Sequence, residues 1–499
     1  MNGRAHSIPP AHSGRSLIHY AVAALALGCS LALLGPAPRW SLLVVGIIAY
    51  LFFGAVSVKE PVIFVVTFLV VLEILPPFFF AETGQTPVYL SFFFLPIGAA
   101  IVLFRLRDLR LGRDPFAGSM VVFLVSIAFS LPFAWWLSGT RAGADSLSRW
   151  LLLSQMAFIY YLIRSGARVT EIRCERWAFR LLLAGAVLSA AYGIVDFVWP
   201  IPFSHPAADQ FIWLGTVVLR RAQGVFYESS NFGNFCGFFL VITSAALLAR
   251  KEQVLCIRRS ALIASVIILS LAVLVAFSRS TWASIIVALL VFASITGNVK
   301  VRRGAIFLLV LAVPLFLLWK FSPELWSYLV NARVGRLVEI FVSPNVATSG
   351  RFDTWSHVLS IITDNPQYLV FGIGYKTLSF TRLFHGEIIV DNGYLSLLLE
   401  TGVAGLAGFL IFSGAILKTF FKLSRAPDQT LAFWSSVLFS ISCGQLIQLL
   451  AVDAYTFWRN MVIYAALAAF TLNRAARTKS LRPKWERELI TRSSPGSFK

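Results

Sequence analysis

The sequence predicts an all-α polytopic membrane protein of about 14 transmembrane helices with a large, partly helical extracytoplasmic loop. Three observations predict it. Apolar runs long enough to cross a bilayer recur along the whole 499-residue chain. Charged residues make up only 13% and the mean hydropathy is +0.77, whereas a soluble protein carries about 25% charge. Lys and Arg also collect on alternate connections between the runs, the bias that orients polytopic proteins.

The first apolar run, 17–35, follows a basic N-terminal tail, 1–16. No small-residue cleavage site is evident, so the run reads as a retained helix. Further spans are expected near 40–57, 61–80, 88–105, 117–138, 149–164 and 178–198, giving an N-terminal bundle over 17–198. A second region, 199–472, carries spans near 231–249, 261–277, 281–296, 304–319, 389–420, 431–452 and 456–472, and a basic tail, 473–499, closes the chain. The 389–420 run is too long for one straight crossing. A break at Thr401-Gly402 is expected there, because glycine is permissive at a helix end.

With the N-terminus inside and the spans alternating, RLRDLRLGR (105–113), RSGARVTEIRCER (164–176), RKEQVLCIRR (250–259), KVRR (300–303) and the tail from Arg474 all fall inside. Most of the 43 Lys and Arg then lie on the cytoplasmic side, and both termini are cytoplasmic. This bias accounts for the net charge of +20 without a nucleic-acid partner.

Two connections on the opposite side are long, 199–230 and 320–388. Long connections more often carry function than not. In the larger one, 323–340 and 350–364 space apolar residues helically, with Trp326, Tyr328 and Trp355 suited to the membrane interface. Both are expected as amphipathic helices over the outer mouth of the bundle.

Three polar segments converge on that side: RRAQGVFYESSNFGN (220–234), FSRSTW (277–282), and the large loop from SGRFDTW (349–355) to IIVDNGYLSLLLE (388–400). Arg279 sits in a tight turn between apolar runs. It either snorkels to the interface or meets an anionic headgroup. Arg351 opens the loop helix as a solvated or a ligand-facing charge. Arg220 and Arg221 begin the approach to the next span, where Glu228 or a lipid headgroup is a ready partner. Asp391-Asn392 begin a helix. Either residue suits an N-cap, and a carboxylate there could equally take a proton from a hydroxyl. Glu400 lies about half a turn round an unbroken helix from Asp391, which excludes a paired-carboxylate site and favours a structural role at the break. Glu73, Gln445 and Gln448 are further intramembrane polar groups with no assigned place. The five cysteines form no CxxC set, and histidines 205, 357 and 385 lack metal-ligand spacing. No metal or cofactor is expected. There is no phosphate-binding loop, dinucleotide fingerprint or nucleophile elbow.

Four stretches, RAQGVFYESSNFGNF (221–235), FSRSTWAS (277–284), SGRFDTWSHVLSIITDNPQYLVFGIGY (349–375) and VDNGYLSLLLETGVAGLAG (390–408), resemble in order and sidedness the O-antigen ligase and Wzy-type polysaccharide polymerase superfamily. The resemblance implies a bacterial cytoplasmic-membrane enzyme acting at the outer face. It would transfer a glycan from an undecaprenyl diphosphate carrier to an acceptor hydroxyl, without metal or cofactor. Arg279 and Arg351 correspond to the arginines that meet the diphosphate, and Asp391 falls where the ligases carry a histidine close to the acceptor. The Asp-Asn pair is closer to exopolysaccharide polymerase-like members. Arg279, Arg351 and Asp391 are therefore the expected catalytic residues, and Arg220, Arg221 and Asn392 the expected substrate-binding ones. The expected function is inverting polymerisation of lipid-linked repeat units. A ligase moving finished chains is the alternative enzyme, and a lipid-linked oligosaccharide transporter the alternative of another class. A transporter should show broken helices in both halves, whereas the obvious break is in the C-terminal part. Expected partners are the lipid-linked glycan, membrane lipid, and a chain-length regulator and flippase of the same pathway.

Overall fold

The computed structural model describes residues 39–75, 78–83, 86–89, 91–105, 114–165, 172–199, 210–214, 217–226, 228–296, 351–378 and 390–480. The expected spans near 17–35 and 304–319, the loop helix at 323–340, the N-terminal tail and the chain past residue 480 lie outside them.

The described residues are almost all helical. The first helices are α1 (Arg39–Lys59), α2 (Pro61–Ile74) and α3 (Ser91–Arg105). Then come α4 (Pro115–Ala128), α5 (Leu131–Ser165), α6 (Ile172–Val198), α7 (Ser229–Ala249) and the single turn α8 (Glu252–Leu255). α9 (Arg259–Val275) and α10 (Arg279–Thr296) precede α11 (Arg351–Asp364) and α12 (Pro366–Phe371). The last three are α13 (Gly393–Leu423), α14 (Gln429–Gln448) and α15 (Trp458–Ser480).

Two antiparallel hairpins depart from the all-α expectation: β1–β2 (Phe78–Thr83 with Thr86–Val88) and β3–β4 (Phe211–Leu214 with Val217–Arg220). Their composition explains them. Aromatic and β-branched runs flank Gly84-Gln85 and Gly215-Thr216 in the sequence, a hairpin pattern that hydropathy alone hides.

Among the described residues, five helices are long and apolar enough to cross a membrane: Trp177–Val198 within α6, then α7, α10, α13 and α14. The pair α4 and α5, bent by 46°, makes six if it is counted as one span. That is fewer than the expected number. α2, α3 and α9 are apolar but only 14, 15 and 17 residues long. Large apolar side chains face outward all the same, with Phe104 and Trp136 both 78% exposed. Such a surface suits a lipid environment.

The described helices run alternately. Asp114, before α4, accepts from Arg164 Nε near the end of α5 at 3.0 Å, so residues 114–165 go out and back. Asn473 in α15 joins the same end through Arg164 Nη1, and Arg474 pairs with Asp428. At the opposite end, Arg459 donates to the carbonyls of Leu75 and Val225, Tyr375 N–H to Ser130 Oγ, and Gly393 N–H to the Leu449 carbonyl. That opposite end holds the candidate site.

Residues 139–148, expected as a connection, belong instead to α5, which is interrupted only at Gly139 (φ 86°, ψ 178°). The segment is poor in strong helix formers, but Asp145 pairs with Arg149 one turn on at 2.8 Å. Broken helices therefore occur in both halves of the chain. The absence of an N-terminal break can no longer be held against a transporter.

Candidate functional site

The break in α13 organises the site. Gly402 (φ 68°, ψ −172°) interrupts the helix at the expected Thr401-Gly402 position. A helix that stops leaves carbonyls without intrahelical donors. Here the N–H groups of Ile373 and Gly374 supply two of them, reaching the carbonyls of Leu399 and Glu400 at 3.0 Å each. The strap that makes these bonds leaves α12 at Gly372, φ 72°. A Cβ at Gly372 would lie 2.3 Å from the Glu400 carbonyl oxygen, and one at Gly402 2.3 Å from that of Val370. Only glycine allows the two backbones to come this close.

The helix expected over 350–364 forms as α11. Its apolar face (Val358, Ile361, Ile362) packs with Ile373, Val390 and Leu399 in a small core at this junction. That docking brings Arg351, at the N-terminus of α11, to the residues before α13. Arg351 Nε and Nη2 both donate to Asp391 Oδ2, at 3.1 and 3.0 Å. The side chains are 27% and 40% exposed. A pair this open to solvent adds at most ~1 kcal/mol to stability, so its position matters more than its strength.

The neighbouring residue takes the capping role. Asn392 Oδ1 accepts from the N–H groups of Tyr394 and Leu395 at 3.0 and 3.1 Å. Asp391 is left to face Arg351. Asn392→Ala is expected to cost about 1 kcal/mol of stability, read as a lower thermal midpoint of the purified protein.

Arg221 and Arg279 meet through one turn. Ala222 N–H donates to the Val275 carbonyl at 3.0 Å, and Arg221 Nε to the Ala276 carbonyl at 3.0 Å. Both are orphan carbonyls at the end of α9. Arg279 starts α10 three residues later, with its side chain exposed. Burial lowers the Arg221 guanidinium to about 10 and Arg279 pushes the same way, while Glu228 and Asp391 oppose the shift. Arg221 stays cationic at neutral pH, within the electrostatic reach of Arg279, Glu228 and Asp391.

Arg220 is held elsewhere. Its Nη1 donates to the Asp196 carbonyl at 2.9 Å and its Nη2 pairs with the buried Asp196 carboxylate at 3.2 Å, which ties β4 to the end of α6.

Further charges complete the cluster, and of these Lys376, Asp453 and Arg149 were not singled out from the sequence. Lys376 pairs with Asp453 and lies over the Tyr455 ring. Burial alone would lower the Lys376 ammonium, but Asp453 and Glu400 outweigh it and the net shift is upward. Glu400 is buried beneath, accepting from Tyr455 Oη at 3.4 Å. Arg149 of α5 and Glu228, before α7, share the same field. One signal could have found them. The alternating topology already put 139–149 and 453–456 on the side of the other polar segments.

The intramembrane amides now have a place. Asn234 Nδ2 donates to Gln445 Oε1 at 3.0 Å and to Gln448 Oε1, Asn460 Nδ2 donates to Asn234 Oδ1, and Gln448 Nε2 reaches Thr281 Oγ1 at 3.3 Å. Thr281 Oγ1 then donates to Ser278 Oγ at 2.8 Å. The chain crosses α15, α7, α14 and α10 and ends one residue from Arg279. Glu73 is buried in α2, its oxygens without a hydrogen-bond partner among the described residues. Among the described residues, no group of three His, Cys, Asp or Glu side chains is placed to hold a metal ion.

Fold and site together define a helical membrane protein with a cluster of charged side chains, several of them arginines, at one end of its bundle. Residues 264–410 match the family described as Wzy_C, O-antigen ligase. The matched segment is under a third of the chain. It contains Arg279, Arg351, Asp391, Asn392 and Lys376, but not Arg220, Arg221 or Glu228. No curated protein matches the chain. Members of that family are glycosyltransferase-like enzymes acting on lipid-linked glycans.

Proposed function

We propose that the chain polymerises polyprenyl-diphosphate-linked oligosaccharide repeat units at the outer face of the bacterial cytoplasmic membrane. The observation that carries this reading is the Arg351–Asp391 contact, which sets a loop arginine against a carboxylate within the field of Arg221. A lipid diphosphate is the leaving group. As the bond to the anomeric carbon breaks, negative charge builds on the bridging oxygen. Fixed guanidiniums stabilise that charge in a geometry matched to phosphate, without a metal. Asp391 orients or deprotonates the acceptor hydroxyl, and a single in-line displacement inverts the anomeric centre. Undecaprenyl is the proposed carrier, with a flippase delivering it and a chain-length regulator acting beside the cluster.

The lipid-linked sugars of a strain lacking this chain test the reading. Single repeat units are expected to accumulate, and complementation with Asp391→Asn is expected not to clear them. Full-length chains on the carrier would indicate a ligase instead. A purified chain that flips labelled lipid without lengthening any glycan would favour a transporter and overturn the proposal.

A further inference from the structure

Glu228 stands at the N-cap position of α7 and does not cap it. Its backbone is extended (φ −124°, ψ 140°), and its side chain makes no capping hydrogen bond. Ser229 N–H and Oγ bond instead to Gln210 Oε1, at 3.0 and 2.6 Å. A carboxylate beside a helix N-terminus ordinarily gains from serving those amides. This one is turned away, half-buried, and forms no ion pair with a described side chain. The groups that face it electrostatically are Arg221, Lys376 and Arg149 among the cations, Asp391 and Asp453 among the acids, and the phenol of Tyr89. The charged ones all belong to the cluster described above. Lys376 is already engaged by Asp453, and Asp391 by Arg351. Glu228 is the carboxylate of the group left without such an engagement among the described residues.

The two acids thus differ in what they can do. Asp391 presents one oxygen to two guanidinium nitrogens, and Arg351 aims it. That suits orientation of a hydroxyl. Glu228 keeps its lone pairs. Burial raises its carboxyl above the ordinary range, Asp453 and Asp391 add to the shift, and Lys376 and Arg149 oppose it. A carboxylate so placed is a better proton acceptor.

We infer that Glu228 is the proton acceptor of the transfer reaction and that Asp391 positions the acceptor sugar. This rests on the polymerase reading above. In the step, the acceptor O–H proton passes to Glu228 as the hydroxyl oxygen bonds to the anomeric carbon. The bond from that carbon to the diphosphate oxygen breaks, and its electron pair leaves on the lipid diphosphate beside Arg221 and Arg279. The acid at Glu228 then returns its proton to solvent.

The test uses purified full-length protein and the lipid-linked glycan extracted from a strain lacking this chain. Lengthening is followed between about pH 5 and pH 9, and farnesyl diphosphate serves as a separate binding probe. Glu228→Gln is expected to lower kcat by ~10²-fold or more with farnesyl diphosphate affinity unchanged. Glu228→Asp is expected to recover part of the rate and to move the acid limb, which Asp391→Glu should leave in place. Three results would overturn the assignment: Glu228→Gln within about tenfold of wild type, an acid limb unmoved in Glu228→Asp, or loss of farnesyl diphosphate binding in step with rate. If wild type itself lengthens nothing, the polymerase reading fails and this inference fails with it. If wild type lengthens and Glu228→Gln does too, only the inference fails.

Discussion

Arg279→Ala is expected to cut glycan lengthening by ~10²–10³-fold, about 3–4 kcal/mol of transition-state stabilisation, while the protein stays in the membrane. Its side chain is exposed at the head of α10, so truncation leaves no cavity. Its backbone is fixed independently, by the strap at Arg221 and Ala222 and by the amide chain ending at Ser278. The loss should therefore fall on chemistry and not on folding. Arg220→Ala supplies the contrast one residue from Arg221. It breaks a pair in which the Asp196 side chain is fully buried. Breaking a buried pair typically costs ~3–5 kcal/mol, so this variant is expected to fall in membrane abundance. Gels for polymer and immunoblots for protein separate the two outcomes. Equal behaviour of the two variants would contradict the division of roles.

Gly402→Val is expected to remove most of the folded protein, again read as abundance in the membrane and as a lowered thermal midpoint. The backbone at Gly402 lies in a region essentially closed to other residues, which costs ~1–3 kcal/mol before any contact is counted. The added Cβ would also meet the Val370 carbonyl at 2.3 Å, and backbone cannot swing aside as a side chain can. Gly372→Ala attacks the same junction from the other side, against the Glu400 carbonyl. The two substitutions share one contact surface, so their combined cost should be less than additive. Because this junction also seats α11, surviving protein should lose the Arg351–Asp391 contact and with it activity.

What the sequence made legible follows from which interactions are local. The break at Thr401-Gly402 could be read because an over-long apolar run held a glycine at the point where it had to turn. The helix over 350–364 could be read from its periodicity, and it forms from Arg351 to Asp364. The pairing of Arg351 with Asp391 could not, because 40 residues separate them and no local pattern encodes the contact. Asp391 and Asn392 are both good caps, and the choice between them depends on how the turn packs on Leu449. Glu228 was visible only as a partner for an arginine. Its idle cap position depends on Gln210, which arrives from the preceding hairpin. That hairpin was itself hidden, since hydropathy does not distinguish an apolar strand pair from a short apolar helix. Gly139 was missed for the converse reason. Charged and small residues there resemble a loop, yet they continue a helix across the break.

The most direct measurement is density for undecaprenyl diphosphate bound to the purified chain, by cryo-electron microscopy. The two phosphates are expected among Arg221, Arg279 and Arg351, with Asp391 on the far side of the leaving oxygen. A second place exists where the lipid could sit, a cavity of about 280 Å³ at the opposite end of the bundle, lined by Lys251, Thr296, Gln429 and Ser436. Phosphates found there, with the arginine-lined end empty at saturating lipid, would contradict it.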